Sequence, residues 1–119
     1  MMTGVAGPMR EQTYLILVAL AGEPRHGYGI IQTVAELSDG RMKLGPGTLY
    51  GVLDRLVTEG SIEPDHDEVV DGRLRRYYRI TERGRKIVAD EANRLAALAS
   101  KVAVHLGRRP GGAGAGALA

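Results

Sequence analysis

The sequence predicts an α+β fold that is mainly α-helical with one small β-hairpin. Apolar residues recur at helical spacing in four separate stretches of the 119-residue chain. An Asp71-Gly72 pair follows one run of extended pattern and precedes another, which is typical of a two-residue hairpin turn. A chain of this length forms one modest core, so we expect these elements to pack in a single domain.

Two helices are predicted before residue 40. Pro8 begins the first helix, which runs to about Ala21 along an apolar stripe and is ended by Gly22-Glu23-Pro24. The second helix runs from about Gly27 to Leu37. Its spacing predicts that it buries Tyr28, Ile31, Val34 and Ala35.

The segment from Gly45 to Gly60 carries the most information about function. As a helix it buries one apolar face, made of Leu49, Val52, Leu53, Leu56 and Val57. The opposite face carries Gly47, Thr48, Gly51, Asp54, Arg55 and Thr58. A glycine inside a helix costs roughly 1 kcal/mol relative to alanine, so two outward glycines indicate a surface that must come close to something bulky. We interpret this segment as a recognition helix that lies in a DNA groove.

The charges of the hairpin region are segregated along the chain. Residues 59–71 contain six acidic side chains and no Lys or Arg, whereas residues 73–86 contain seven basic side chains and one acidic one. The net charge is only +2, but 13 of the 16 basic residues are arginine, which makes bidentate contacts with phosphate and guanine. A solvated charged surface is the alternative explanation.

The second arm of the hairpin, residues 73–80, alternates like a half-buried strand. Leu74, Tyr78 and Ile80 are expected to face the core, and the outward positions are Arg73, Arg75, Tyr77 and Arg79. A two-residue turn places Glu68 opposite Arg75, Asp67 opposite Arg76 and Val70 opposite Arg73. Arg73 is therefore the arginine that is most free to reach a phosphate.

A long final helix is predicted after the hairpin. Thr81 is a suitable N-cap, and the helix runs to about Leu106. Its apolar positions approach a heptad seam, which Glu91 interrupts: Val88, Leu95, Leu98 and Val102. We divide the chain into a flexible leader (1–7), a DNA-binding domain (8–80), a dimerisation helix (81–106) and a disordered tail (107–119).

Three helices, a two-stranded wing and a long final helix correspond to a winged helix-turn-helix. The chain also resembles the PadR transcriptional regulators, in their short form with a single C-terminal helix. The resemblance covers about Glu11 to Val104. It rests on separated elements in the right order, which are Pro24-x-His26-Gly27-Tyr28, Gly47-Thr48-Leu49-Tyr50 followed by Leu53, Arg55 and Leu56, and Arg76-Tyr77-Tyr78-x-Ile80-Thr81-x-x-Gly84.

The resemblance implies a homodimeric repressor whose first and last helices form the dimer interface. The interface residues would be Tyr14, Leu17, Val88, Leu95, Leu98 and Val102. It also implies an effector, often a small hydrophobic or phenolic compound, that releases the DNA. The sequence departs from the family pattern at Gly51, where many members have proline, and in having no Trp or Phe to trap a flat ligand.

The candidate DNA-binding residues lie on the second helix, the recognition helix and the wing. They are Gly27, Tyr28, Lys43, Gly47, Thr48, Tyr50, Gly51, Arg55, Arg73, Arg75 and Arg76. Some of these side chains also fit structural roles. Tyr50 fits the rim of the core, Arg55 fits an ion pair with Asp54 or Glu59, and Tyr28 fits packing into the core.

Other functional classes receive little support from the sequence. The chain has no cysteine and no nucleophile elbow, phosphate loop or zinc-protease helix, so we expect no catalytic residue, cofactor or metal site. The acidic run from Asp65 to Glu68 includes a histidine, but neighbouring residues on a strand point to alternate faces. We expect a cytoplasmic protein without a membrane span. The main alternative is a winged-helix module that binds an acidic protein partner.

Overall fold

The computed structural model describes residues 9–107, which form four helices and a three-stranded antiparallel sheet. Residues up to 88 belong to one compact unit and residues from 89 onward to a second. The first unit thus includes the beginning of the last helix as well as the predicted DNA-binding domain. The predicted leader, and the predicted tail beyond Gly107, lie outside the described residues. Among the described helices, none combines the length and apolarity needed to span a bilayer.

Helix α1 spans Glu11–Gly22 and forms one side of the core. It begins later than predicted because the backbone at Arg10 is still extended. Two arginines, one just after the helix and one 64 residues from its acceptor, donate to carbonyl groups near its C-terminus. Arg25 donates from Nε to the Ala19 carbonyl at 2.8 Å, and Arg85 donates to the Ala21 carbonyl at 3.3 Å.

Helix α2 spans Gly27–Leu37, as predicted, and buries Ile30 and Val34. The prediction that Tyr28 is buried is wrong, since 63% of this residue is exposed. Tyr28 lies at the start of α2 on the side away from Ile30, so its ring does not reach the core.

Helix α3 spans Pro46–Glu59 and presents its apolar face to the core as predicted. Leu49, Val52, Leu53 and Leu56 are buried, whereas Val57 lies at the edge and remains partly exposed. Gly60 ends the helix in the left-handed conformation, with φ of 81°. The next residue, Ser61, donates its N–H to the Leu56 carbonyl at 3.0 Å.

Strands β2 (Ile62–Val70) and β3 (Arg73–Ile80) form the predicted hairpin. Asp71 and Gly72 both have positive φ, 52° and 77°, as the two-residue turn requires. The predicted register is confirmed, with Glu68 opposite Arg75, Asp67 opposite Arg76 and Val70 opposite Arg73. A bulge between Pro64 and His66 shifts the register nearer the base of the hairpin.

Two features of the sheet differ from the sequence prediction. A two-residue strand, β1 (Arg25–His26), pairs with β3 and makes the sheet three-stranded in the order β1-β3-β2. Leu74 was expected to face the core, but 64% of it is exposed because the hairpin extends beyond the helices that cover Tyr78 and Ile80.

Helix α4 spans Glu82–His105 and is capped by Thr81, as predicted. The Thr81 hydroxyl accepts the Gly84 N–H at 3.1 Å and donates to the Gly60 carbonyl at 2.7 Å. A Cβ added at Gly84 would collide with the carbonyl group of Ser61, so only glycine allows the start of α4 to pack this closely. Ile87 and Val88 then pack against the core.

Candidate nucleic-acid interface

The outer face of α3 is exposed and includes two glycines, which have no side chain. Gly47, Thr48, Gly51 and Asp54 all lie in the exposed class. A Cβ added at Gly47 or Gly51 would meet no heavy atom within 4 Å, so packing inside this unit does not require glycine at either position. These two positions leave the helix backbone accessible to a molecule that approaches from outside.

The N-termini of α2 and α3 both lack a side-chain cap, because neither His26 nor Gly45 accepts a first-turn N–H through its side chain. The backbone N–H groups in the first turn of each helix lie at the positive end of the helix dipole and favour binding of an anion. Tyr28 is exposed in the first turn of α2, and Lys43 is exposed just before α3. Both residues are therefore exposed beside a helix N-terminus.

Tyr50 connects the two helix starts. Its ring Cζ lies 3.1 Å from the position that a Cβ would occupy at Gly27, so the glycine makes room for the tyrosine. The residue is nevertheless 48% exposed, so it is not a core side chain. This arrangement keeps the Tyr50 hydroxyl next to the uncapped end of α2.

Arg55 is engaged within the domain. Its Nη2 donates to the Thr13 hydroxyl oxygen at 2.9 Å, and its Nε lies 3.8 Å from a Glu59 carboxylate oxygen. The ion pair with Glu59 is one of the two that the sequence suggested, whereas the hydrogen bond with Thr13 joins positions 42 residues apart and has no local signal. Both side chains of the ion pair are half-exposed, so it contributes little stability.

The wing arginines divide into paired and unpaired groups. Arg76 pairs with Asp67 across the hairpin at 3.3 Å, and Arg79 donates from Nε to Glu63 at 2.7 Å. Arg73 has only Val70 opposite it, and its side chain makes no hydrogen bond or ion pair with any residue that the structure describes. The side chain is unpaired as expected, and its contact with a phosphate stays a prediction.

A cluster centred on His66 was missed at the sequence level. The ring donates to Asp65 from Nδ1 at 2.6 Å, lies 3.2 Å from Glu68 through Nε2, and stacks on Tyr77 with centroids 4.3 Å apart. The Tyr77 hydroxyl also donates to Glu68 at 3.1 Å. The bulge places His66 directly opposite Tyr77, and Pro64, which lacks an N–H for the ladder, is the sequence signal that could have indicated it. Within residues 9–107 no group of three or more potential ligands is placed to hold a metal ion.

The two histidines near Tyr77 have pKa values shifted in opposite directions. Hydrogen bonding to Asp65 and then to Glu68 raises the pKa of His66. Burial, followed by the charge of Arg75, lowers the pKa of His26, whose Nε2 is buried without a hydrogen-bond partner in the described residues. His26 lies on the other side of the Tyr77 ring, with centroids 5.1 Å apart.

The predicted interface residues of the first and last helices have different environments. Leu17 is only 1% exposed and packs in the core of its own chain, and Tyr14 is half-buried. Val88 packs partly against the same core. In the second unit, the seam residues of α4 are exposed: Leu95, Leu98 and Val102.

A model of the PadR-like transcriptional regulator family matches residues 16–90 of this sequence. The match begins within α1 and spans α2, α3, the sheet and the start of α4. The chain belongs to the PadR-like family of transcriptional regulators. Its winged-helix fold, with four described helices and a three-stranded antiparallel sheet, is the one found in PadR structures.

Three similar proteins illustrate this PadR relationship. The transcriptional regulator Rv3488 of Mycobacterium tuberculosis is 39% identical over 87 residues, which are 73% of this chain and 78% of that protein. A 37.1 kDa protein of transposon Tn4556 from Streptomyces fradiae is 39% identical over 88 residues, and the match covers 74% of this chain but only 24% of that protein. Bacillus subtilis PadR in complex with operator DNA is 25% identical, with a TM-score of 0.61 over 70% of this chain and 47% of that one.

The PadR motifs have structural explanations in this chain. The glycine of the His-Gly-Tyr element, Gly27, makes room for Tyr50 of the Gly-Thr-Leu-Tyr element. Thr81 and Gly84 cap α4 and allow it to pack closely against Ser61. These residues therefore set the relative positions of α2, α3 and the start of α4.

Proposed function

We propose that this PadR-like regulator is a homodimeric repressor that binds a pseudo-palindromic operator in double-stranded DNA. The proposal rests on the exposed outer face of α3. Gly47 and Gly51 have no side chain there, and a Cβ added at either position would meet no atom within 4 Å. The major groove is about 12 Å wide and admits an α-helix, and missing side chains let the backbone enter more deeply. The operator complex of Bacillus subtilis PadR supports the same use of this fold.

The contacts divide between base edges and backbone. Thr48 on α3 faces the bases, while the uncapped start of α2 and the exposed Lys43 face phosphates. The proposed contact set is Gly27, Tyr28, Lys43, Gly47, Thr48, Tyr50, Gly51, Arg73, Arg75 and Arg76. Arg55 is left out of this set because its guanidinium donates to the hydroxyl of the buried Thr13, whereas the pair of Arg76 with Asp67 is exposed on the hairpin surface.

Dimerisation is supported by the exposed seam of α4. Leu95, Leu98 and Val102 follow the a, d, a spacing of a coiled-coil heptad, and all three are exposed in the single chain. Burying such side chains against a second copy contributes roughly 1.5–3 kcal/mol for each one. Two copies related by a two-fold axis would contact half-sites about 34 Å apart.

The proposal includes release of the DNA by a small hydrophobic or phenolic effector, which the family resemblance supports. The chain has no Trp and no Phe. A flat ligand sandwiched between rings of those two types is therefore excluded, and the effector would instead contact aliphatic or tyrosine side chains.

The test is binding to a duplex that the protein itself selects from a random DNA pool. We expect the dimer to bind this duplex about 10³-fold or more tightly than a scrambled duplex of the same composition, as specific regulators do. Fluorescence anisotropy at a fixed salt concentration measures both affinities. Equal affinities would contradict the proposal and would favour a winged-helix module that binds an acidic protein.

A further inference from the structure

Arg55 occupies an outward position of α3, yet its guanidinium turns back into the domain. The acceptor is the hydroxyl oxygen of Thr13, a residue of α1 that is only 7% exposed. The donor is charged, and hydrogen bonds with a charged partner are roughly twice as strong as neutral ones.

Helices α1 and α3 both contribute apolar side chains to the core, Leu17 and Leu20 from α1 and Leu49 and Leu53 from α3. Apolar packing is non-directional, whereas a hydrogen bond has a preferred geometry. The Arg55–Thr13 hydrogen bond therefore adds a directional polar link between α3 and α1. A link of this kind restricts the rotation of α3 about its own axis, and that rotation decides which side chains face a DNA groove.

We propose that Arg55 is a positioning residue, which fixes the orientation of α3 relative to α1 through Thr13 and does not itself contact DNA. The proposal rests on the DNA-binding function proposed above. Arg55 then affects which DNA sequence the protein prefers, although Arg55 makes no contact with a phosphate. Thr13, which is only 7% exposed, then affects that preference as strongly as Arg55 does.

The first test compares Thr13→Val, Arg55→Met and the double variant. Thr13→Val removes the acceptor and keeps both the shape of residue 13 and the charge of Arg55. We expect each single variant to lower the ratio of selected to scrambled duplex affinity by about tenfold, which corresponds to the loss of ~1.4 kcal/mol. The double variant should lose no more than either single variant, because both remove the same hydrogen bond.

The salt dependence of binding separates positioning from direct contact. Log affinity falls as log salt concentration rises, and each phosphate contact adds about 0.9 to the magnitude of this negative slope. We expect the slope to be unchanged in Arg55→Met and in Thr13→Val. The proposal is overturned if Arg55→Met reduces the magnitude of the slope by about 0.9 while Thr13→Val binds like the wild type. Thr33→Val, on α2, is the matched control, and circular dichroism must show all variants folded at the temperature used.

Amide hydrogen exchange without DNA gives a second readout that is independent of the proposed function. We expect Thr13→Val and Arg55→Met to increase exchange in α3 by similar factors, with α2 unchanged. Unchanged exchange in α3, or a uniform increase in all helices, would overturn the positioning role. If the wild type prefers no duplex, the proposed function fails, and the exchange data still decide whether Arg55 positions α3.

Discussion

At the scale of single residues, the surroundings of the glycines separate packing from other roles. A Cβ at Gly27 would collide with the Tyr50 side chain, and one at Gly84 would collide with the Ser61 backbone. A Cβ at Gly47 or Gly51 would meet nothing within 4 Å. The first two glycines are explained by packing inside the domain, whereas for the other two we propose that the missing side chains let DNA approach closely.

Gly51→Ala is expected to raise stability and to weaken DNA binding. Alanine is favoured over glycine in a helix interior by roughly 1 kcal/mol, and the added methyl meets no neighbour in the free protein. The same methyl would meet the groove, and we expect about tenfold weaker operator binding or more. Thermal unfolding and fluorescence anisotropy measure the two effects. Thr58→Ala is the control on the same helix, and tight binding by Gly51→Ala would contradict close approach.

The His66 cluster predicts a pH dependence with a definite sign. The pKa of His66 is raised above its ordinary value of 6.5 by Asp65 and Glu68. A raised pKa in the folded state means that the stabilisation is fully present below pH 6.5 and is lost as the pH rises through the folded-state pKa. NMR titration should show His66 titrating above 6.5 and His26 below it. The opposite order would contradict the arrangement of hydrogen bonds around Tyr77.

At the scale of elements, the wing is expected to contribute affinity through Arg73. The side chain of Arg73 is unpaired among the described residues and Arg79 is bound by Glu63, so these two of the four arginines of β3 make a matched test and control. Arg73→Ala should reduce the magnitude of the negative slope of log affinity against log salt concentration by about 0.9. Arg79→Ala should leave this slope nearly unchanged. Equal slopes for wild type and Arg73→Ala would remove the wing tip from the interface.

The hairpin also shows which features of an element the sequence predicts. Its register followed from the Asp71-Gly72 turn, because a two-residue loop fixes every cross-strand pair near it. Strand β1 was missed because two residues are too few to show alternation. Leu74 was predicted to be buried because alternation along β3 assigns it to the same face as Tyr78 and Ile80. Alternation does not show where the helices that cover this face end, and Leu74 is exposed.

The candidate site was predictable only where local pattern determines it. The outward face of α3 follows from helical spacing, and the structure confirms that Gly47, Thr48 and Gly51 are exposed. The engagement of Arg55 by Thr13 depends on the packing of α1 against the rest of the domain, which no local pattern specifies. The His66 cluster depends on a bulge, which shifts the register by one residue.

At the scale of the whole molecule, two copies are expected to associate through α4. Leu98→Asp places a charge in the proposed seam and should raise the dimer dissociation constant by on the order of a hundredfold, since each buried leucine contributes about 1.5–3 kcal/mol. Sedimentation velocity measures the change. Ser100→Asp introduces the same charge two residues away on the exposed surface of α4 and should leave the dimer intact. A dimer that tolerates Leu98→Asp would place the interface elsewhere.

Each copy is expected to place α3 in a major groove, with the two copies related by a two-fold axis. A hydroxyl-radical footprint on the selected duplex measures where the dimer lies. We expect two protected regions on one face of the duplex, with centres one helical turn or about 34 Å apart. A single protected region, or protection without a fixed spacing, would contradict it.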